Sequence, residues 1–212
     1  MYSQIEIDAQ FEGKLQLIYL NQPESYNSLT QVMLGELRNA VHKFSNDGSV
    51  RCIAIAGKGK AFCAGQNLKE ALGFDEDDRT IQRFVIEYYN PLVLEIVKCK
   101  KPVIALVNGP AVGAGAMLAS ICDFTLATES SYFSFAFANI GLIPDTAGTY
   151  YLPKLVGRQL ASYLSFTGKK VPATEAKKIG LVADVFADSE FVEKSMEVLT
   201  QLSHAATTAL YL

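Results

Sequence analysis

Two glycine-bearing segments carry the chemistry that this sequence offers most directly: Gly57 to Gln66, which follows a short apolar run, and Gly113-Ala114-Gly115-Ala116, which opens a small-residue helix. Around Gly65-Gln66 and Gly113-Ala114 no bulky side chain covers the backbone amides, and two such donors aimed at one point make an oxyanion hole. Neither segment carries a common phosphate fingerprint, because GxxxxGK[ST] is absent and Gly109 to Gly115 lacks the full GxGxxG spacing. The histidines are His42 and His204, far apart, which leaves little material for a histidine triad or a zinc site, and no metal is expected. Cys52, Cys63, Cys99 and Cys122 lie scattered in apolar contexts without a CxxC pair and read as reduced, buried thiols.

The elements that must position these loops alternate between strand and helix. Gln4 to Asp8 and Lys14 to Asn21 suggest a hairpin around Glu12-Gly13. Thr30 is a plausible N-cap for a helix with Met33, Leu34, Leu37, Val41 and Phe44 on one face, ended by Asn46-Asp47-Gly48. Arg51 to Ala56 and Val103 to Val107 read as buried strands, and between them the acidic stretch from Asp75 to Asp78 leads into a long helix from about Thr80 to Cys99. A helix from Gly113 to about Ile121 precedes short strands at Asp123 to Ala127 and Tyr132 to Phe135. Helices at Leu160 to Phe166 and Thr174 to Ile179, a strand at Leu181 to Phe186 and a last helix from near Ser189 complete the pattern. Repeated alternation with glycine loops after strands predicts an α/β architecture with ligand loops at strand ends.

Composition bounds the function. The 212 residues suffice for one substantial core, half of them are hydrophobic and the mean hydropathy is +0.16, which excludes a disordered chain. A formal net charge of −3 gives no global field for a nucleic-acid backbone, although the lysine groups Lys58/Lys60, Lys98/Lys100/Lys101, Lys169/Lys170 and Lys177/Lys178 could face a phosphorylated ligand. No targeting signal opens the chain and no apolar run reaches membrane-span length, so a soluble, cytoplasmic protein is expected.

Three segments bear a closer resemblance. Ala61-Phe62-Cys63-Ala64-Gly65-Gln66-Asn67-Leu68, then Lys101-Pro102-Val103-Ile104-Ala105 through Asn108-Gly109-Pro110-Ala111-Val112-Gly113-Ala114-Gly115, then Gly141-Leu142-Ile143-Pro144-Asp145-Thr146-Ala147-Gly148-Thr149 resemble, in order, the signatures of the crotonase (enoyl-CoA hydratase/isomerase) superfamily. With Pro23 to Leu29 they span almost the whole chain. The resemblance implies a crotonase (ClpP-like) fold of repeated ββα units. A core over residues 1–190 would be followed, over 191–212, by the start of a C-terminal helical region that is short or missing.

By position, the resemblance assigns the oxyanion donors to the amides of Gln66 and Ala114. It places coenzyme A, as part of the substrate and not as a resident cofactor, against Glu24, Ser25, Tyr26 and Asn27 and against Ala64, Gln66, Asn67 and Leu68. Asn67 departs from the aspartate more usual in the first signature. Family hydratases use two glutamates, whose positions hold Met117 and Asn139 here; methionine cannot transfer a proton and asparagine is no general base, which disfavours the two-glutamate addition of water. A carboxylate remains at Asp145, where family isomerases keep the acid that shuttles a proton along the acyl chain. Aspartate ordinarily titrates near ~3.9, so that role needs an apolar pocket, for which Phe135, Phe137, Ile140, Leu142 and Met117 are suited. Asp145 fits a second role as well, the N-cap of a helix beginning near Thr146, and the two need not exclude each other.

Local wording at Tyr88-Tyr89-Asn90-Pro91-Leu92-Val93 and Gly141 to Asp145 is most similar to the ring-epoxide isomerase of phenylacetyl-CoA breakdown, and Phe137 to Leu142 equally to Δ3-Δ2-enoyl-CoA isomerases. An acyl-CoA isomerase is therefore the expected function, with a hydratase-like enzyme or a non-catalytic acyl-CoA- or protein-binding homologue as alternatives. The acyl pocket would draw on Leu72, the helix around Val85 to Leu94 and the loop around Phe137. Family chains normally continue for several dozen residues past the point matching Leu212, in helices that cover this pocket. A homotrimer or hexamer is implied, with neither nucleic acid nor membrane as a partner.

Overall fold

Strands buried on both faces need continuous apolar sequence, and the centre of this protein is built from such strands. The computed structural model describes residues 2–71 and 78–210, without the side chains of residues 71 and 78–80, so Leu72 and the acidic stretch 75–77 lie outside the described residues. An antiparallel hairpin of β1 (Ile5–Gln10) and β2 (Leu15–Leu20) leads, through α1 (Gln31–Asn46), to β3 (Cys52–Gly57). Next come α2 (Leu68–Ala71) and a helix that runs from α3 (Asp78–Phe84) through a π-helical turn (Val85–Tyr89) into α4 (Asn90–Val97). The central units follow: β4 (Val103–Val107), β5 (Ala111–Val112) and α5 (Ala114–Ile121), then β6 (Phe124–Thr128) and β7 (Tyr132–Ser134). After a 3-10 turn (Ala136–Ile140) come α6 (Gly148–Val156), α7 (Arg158–Thr167), β8 (Lys170–Pro172), α8 (Ala173–Lys178), β9 (Asp184–Phe186), α9 (Phe191–His204) and α10 (Thr207–Leu210).

The main sheet has the order β1-β2-β3-β4-β6-β9, parallel from β2 onward, with Leu17 beside Ala54, Ala54 beside Ile104 and Ile104 beside Phe124. Strand alternation divides its side chains between two cores. Ile18, Leu20, Ile53, Ile55, Val103, Ala105 and Val107 face the helices α1, α4 and α5, while Leu15, Leu17, Cys52, Ala54, Ile104 and Leu106 face α9 through Phe191 and Leu199. A second layer joins β5, β7 and β8 and is extended by bridges pairing Cys63 with Ala111 and Leu29 with Gln66. The main strands β2, β3, β4 and β6 thus each feed a short second-layer segment and then a helix, which is the repeated ββα unit expected above.

Several expectations are met at residue level. Thr30 caps α1, its hydroxyl accepting from the Met33 amide at 3.1 Å, and the buried face of α1 carries Met33, Leu34, Leu37, Val41 and Phe44. The predicted helix from about Thr80 to Cys99 is observed over Asp78–Val97, interrupted by the π turn where the Asn90 amide donates to Val85. All four cysteines are buried free thiols; burial pushes Cys52 and Cys63 up to about 12, which removes their thiolate chemistry at neutral pH. The second-layer strands β5 and β8 were not expected from sequence: the former falls within the turn read at Asn108-Gly109-Pro110 and its sequel, the latter between two helices.

Candidate active site

The two glycine segments meet because the second-layer bridges bring their backbones together. Leu29 donates to the Gly65 carbonyl at 2.7 Å and accepts from the Asn67 amide at 2.9 Å, while Val112 donates to the Cys63 carbonyl at 2.9 Å. In a trans peptide the carbonyl and the next N–H point in opposite directions. With the Gly65 carbonyl turned to Leu29, the Gln66 N–H is aimed the other way. The Gly113 carbonyl accepts from Met117 within α5, at 3.0 Å, so the Ala114 N–H points out of the helix N-terminus. Neither amide has a protein acceptor among the described residues, and both residues line the same cavity.

Gly65 is required at this junction. Its φ is +89°, and a Cβ there would lie 2.7 Å from the Val112 carbonyl oxygen and 3.3 Å from the Ala114 nitrogen. The close approach that sets the two amides side by side therefore excludes any side chain.

Asp145 enters the same cavity from the loop before α6. Burial raises its carboxyl above the ordinary aspartate value of 3.8, opposed by the Thr146 hydroxyl, which donates to Oδ1 at 2.8 Å. The N-cap role is not observed: α6 begins at Gly148, its cap is Ala147, and no side chain bonds there. The reason is that Thr146 and Ala147 both adopt left-handed backbone, with φ of 50° and 61°, so the chain turns away before the helix starts and leaves the carboxylate facing the cavity. Two consecutive non-glycine residues in that region are strained, a condition that concentrates at functional sites.

The cavity has a volume of about 800 Å³, within the range of small-molecule binding sites. Phe84, Val85, Ala136, Phe137, Ile140 and Leu142 furnish apolar wall to the cavity that Asp145 enters, and Asn139 adds a polar group to its lining. Of the aromatic and sulfur residues expected to form that wall, Phe135 and Met117 are instead fully buried in the core and are not among the lining residues. Met117 packs against the start of α6, where a Cβ on Gly148 would come 3.1 Å from its Sδ.

The residues expected against coenzyme A divide into three groups. Ser25, Ala64, Gln66, Asn67 and Leu68 line the cavity, joined by Gln22, Ser28 and Lys69. Glu24 and Tyr26 are exposed on the adjoining loop and do not line it. Asn27 is fully buried and its amide is committed: Nδ2 donates to the Lys58 and Ala61 carbonyls, both at 2.9 Å, and Oδ1 accepts from the Gln22 amide at 2.9 Å. Its side chain is a strut that shapes the loop. Asn67 accepts from the Glu70 amide at the start of α2 and donates to the Ser28 hydroxyl, so it too ties the two loops together.

Tyr89, absent from the residues expected to act, also lines the cavity. Its ring is 2% exposed and its hydroxyl donates to Gln66 Oε1 at 2.6 Å. The one signal for it was the Tyr88-Tyr89-Asn90-Pro91 wording, which does not say which tyrosine faces inward; the π turn decides that.

Repeated ββα units around one sheet that is parallel from its second strand onward, with the loops of successive units meeting over a cavity, define the crotonase fold. The chain belongs to the enoyl-CoA hydratase/isomerase family, whose model matches residues 10–211. It is similar to the 1,2-epoxyphenylacetyl-CoA isomerase of Escherichia coli (strain K12), 35% identical over 204 residues that cover 94% of this chain and 76% of that one. It is also similar to the mitochondrial enoyl-CoA hydratase of Pongo abelii, at 34% identity over 88% of this chain and 63% of the relative. The crystal structure of an enoyl-CoA hydratase from Bacillus anthracis superposes with a TM-score of 0.93 at 32% identity, over 99% of this chain and 80% of that chain. Relatives thus include proteins named for isomerisation and for hydration. Among the described residues, no helix is long and apolar enough to cross a membrane.

Proposed function

We propose that the protein is an acyl-CoA thioester isomerase that moves a proton through an enolate, with Asp145 as the base of the first half-reaction and the acid of the second. The observation that carries this reading is the carboxylate inventory of the cavity: Asp145 is the one acidic residue among its described lining residues, and it shares that cavity with the unpartnered amides of Gln66 and Ala114. The thioester carbonyl oxygen accepts from both amides. Asp145 removes a proton from a carbon whose electrons delocalise into that carbonyl, the oxygen takes up the negative charge, and the protonated Asp145 returns the proton to another carbon, so the double bond shifts with no net change in composition.

A single carboxylate suffices for this cycle, whereas hydration by the two-glutamate route has no acid at either position. Residue 117 is a buried methionine outside the cavity lining, and residue 139 is an exposed asparagine on its rim. The raised carboxyl of Asp145 supports the base role, since burial strengthens a carboxylate's hold on a proton. Coenzyme A would run from the amide pair past Ala64, Asn67 and Leu68 toward Ser25, with Lys69 the one cation among the described lining residues available to its phosphates. In this reading residues 1–190 carry the site and residues 191–212 begin a helical region. Incubation with 3-enoyl-CoA and ring-epoxide acyl-CoA esters in deuterated water tests it by mass spectrometry. Deuterium in the product supports enolate chemistry, whereas binding of acyl-CoA without exchange on any ester of the panel would favour a non-catalytic binder.

A further inference from the structure

Gln66 is held from two sides: its backbone is fixed on one side by Leu29, while its side chain is fixed on the other by Tyr89. The π-helical turn explains how Tyr89 reaches it. Widening the helix by one residue at Val85–Tyr89 rotates the tyrosine toward the first glycine loop and packs its ring against Phe84, 5.5 Å between centroids. π turns of this kind recur at functional sites. The Tyr89 hydroxyl is kept protonated by burial and, next, by the negative charge of Asp145, so it is a donor to Gln66 at neutral pH.

We infer, resting on the oxyanion reading above, that Tyr89 is a positioning residue: by holding the Gln66 side chain it fixes the Cα of Gln66, and with it the direction of the Gln66 N–H toward the thioester oxygen. The tie matters because the preceding residue is Gly65, at φ +89°, which by itself resists rotation of the peptide plane poorly. Oxyanion donors act only within about 2.7–3.1 Å of the developing charge, so a small rotation of that plane weakens one of the two bonds. The other side-chain bond of Gln66, Nε2 to the Asn67 carbonyl at 3.5 Å, is too long to hold it.

The experiment compares the wild type, Tyr89→Phe, Gln66→Leu and the double variant. Its probe is a conjugated dienoyl-CoA whose absorbance moves to the red when the bound carbonyl is polarised; the second readout is kcat and KM for deuterium exchange. Tyr89→Phe keeps the ring and removes one hydroxyl. It is expected to shrink the red shift and lower kcat about tenfold, a fraction of the 10²–10³-fold seen when an oxyanion donor is removed outright. KM and thermal midpoint should stay near wild type. Gln66→Leu should do the same, and the double variant should be no worse than either single one, because both remove one bond. A wild-type red shift and kcat in Tyr89→Phe would overturn the inference and leave the isomerase reading standing. Absence of any red shift in the wild type would overturn it too, because the amide pair then does not grip the carbonyl, while the Asp145 exchange experiment judges the isomerase reading separately.

Discussion

Replacing Asp145 with asparagine should separate catalysis from both binding and stability. The substitution keeps the shape of the side chain and an oxygen that can accept from Thr146, so the loop that carries it has no reason to move. The cavity holds no second carboxylate among its described lining residues, and Asn139 across the rim cannot act as a base, so no neighbour can take over. Loss of a positioned base typically lowers a rate about 10²–10⁴-fold. With no substitute, the upper part of that range applies, about 10³–10⁴-fold or about 4–5.5 kcal/mol of barrier. The assay is deuterium incorporation into a 3-enoyl-CoA, alongside calorimetric binding of coenzyme A, which should change by no more than about threefold, since the residues facing it are untouched. Stability should move the other way. Because the folded protein holds the Asp145 proton above the ordinary value of 3.8, this group supports folding most fully at pH below 3.8 and loses that support as pH rises through the folded-state value. At neutral pH the buried carboxylate is a net cost, which asparagine removes, so the thermal midpoint of Asp145→Asn at pH 7 should equal or exceed that of the wild type. Exchange by the wild type should fall as pH drops through the same folded-state value, since only the ionised form takes a proton. Exchange in Asp145→Asn within tenfold of wild type would refute the base assignment.

Other perturbations read different parts of the site. Gly65→Ala forces a Cβ into the 2.7 Å gap beside the Val112 carbonyl and should lower exchange about 10²–10³-fold by spreading the amide pair, with a measurable drop in thermal midpoint. Met117→Glu, which restores a hydratase-like carboxylate, should cost several kcal/mol in urea denaturation because the side chain is fully buried without a partner, whereas Asn139→Glu on the exposed rim should stay within about 0.5 kcal/mol of wild type. Thr30→Ala removes the bond to the Met33 amide and should cost about 1 kcal/mol by the same measurement, with exchange kinetics unchanged.

Legibility in the sequence followed the length of each element and the range of its contacts. Val103 to Val107 could be read with its bounds because a central parallel strand must be apolar at every position, and α1 because Thr30 and its heptad-like face are local signals. Ala111–Val112 and Lys170–Pro172 were not legible, since two or three residues cannot establish a period and their pairing partners lie elsewhere in the chain. Asp145 was legible as a carboxylate in the right loop but not as one freed from capping, because that depends on left-handed Thr146 and Ala147, residue types that give no warning of positive φ.

The same distinction explains why the proposed oxyanion pair was easier to read than the residue proposed to aim it. Backbone donors require that side chains be missing, so Gly65 and Gly113 mark them in the sequence even though the donors themselves belong to Gln66 and Ala114. Tyr89 acts through a bond across 23 residues, set by a one-residue widening of a helix whose apolar pattern reads the same with or without it. A tyrosine that is only 2% exposed must find an acceptor for its hydroxyl, and the acceptor it finds is the side chain of the residue whose amide is proposed to hold the carbonyl oxygen. Buried polar pairing of that kind is where a catalytic loop gains rigidity that glycine alone cannot give it, which is why the site includes a helix as well as its two loops.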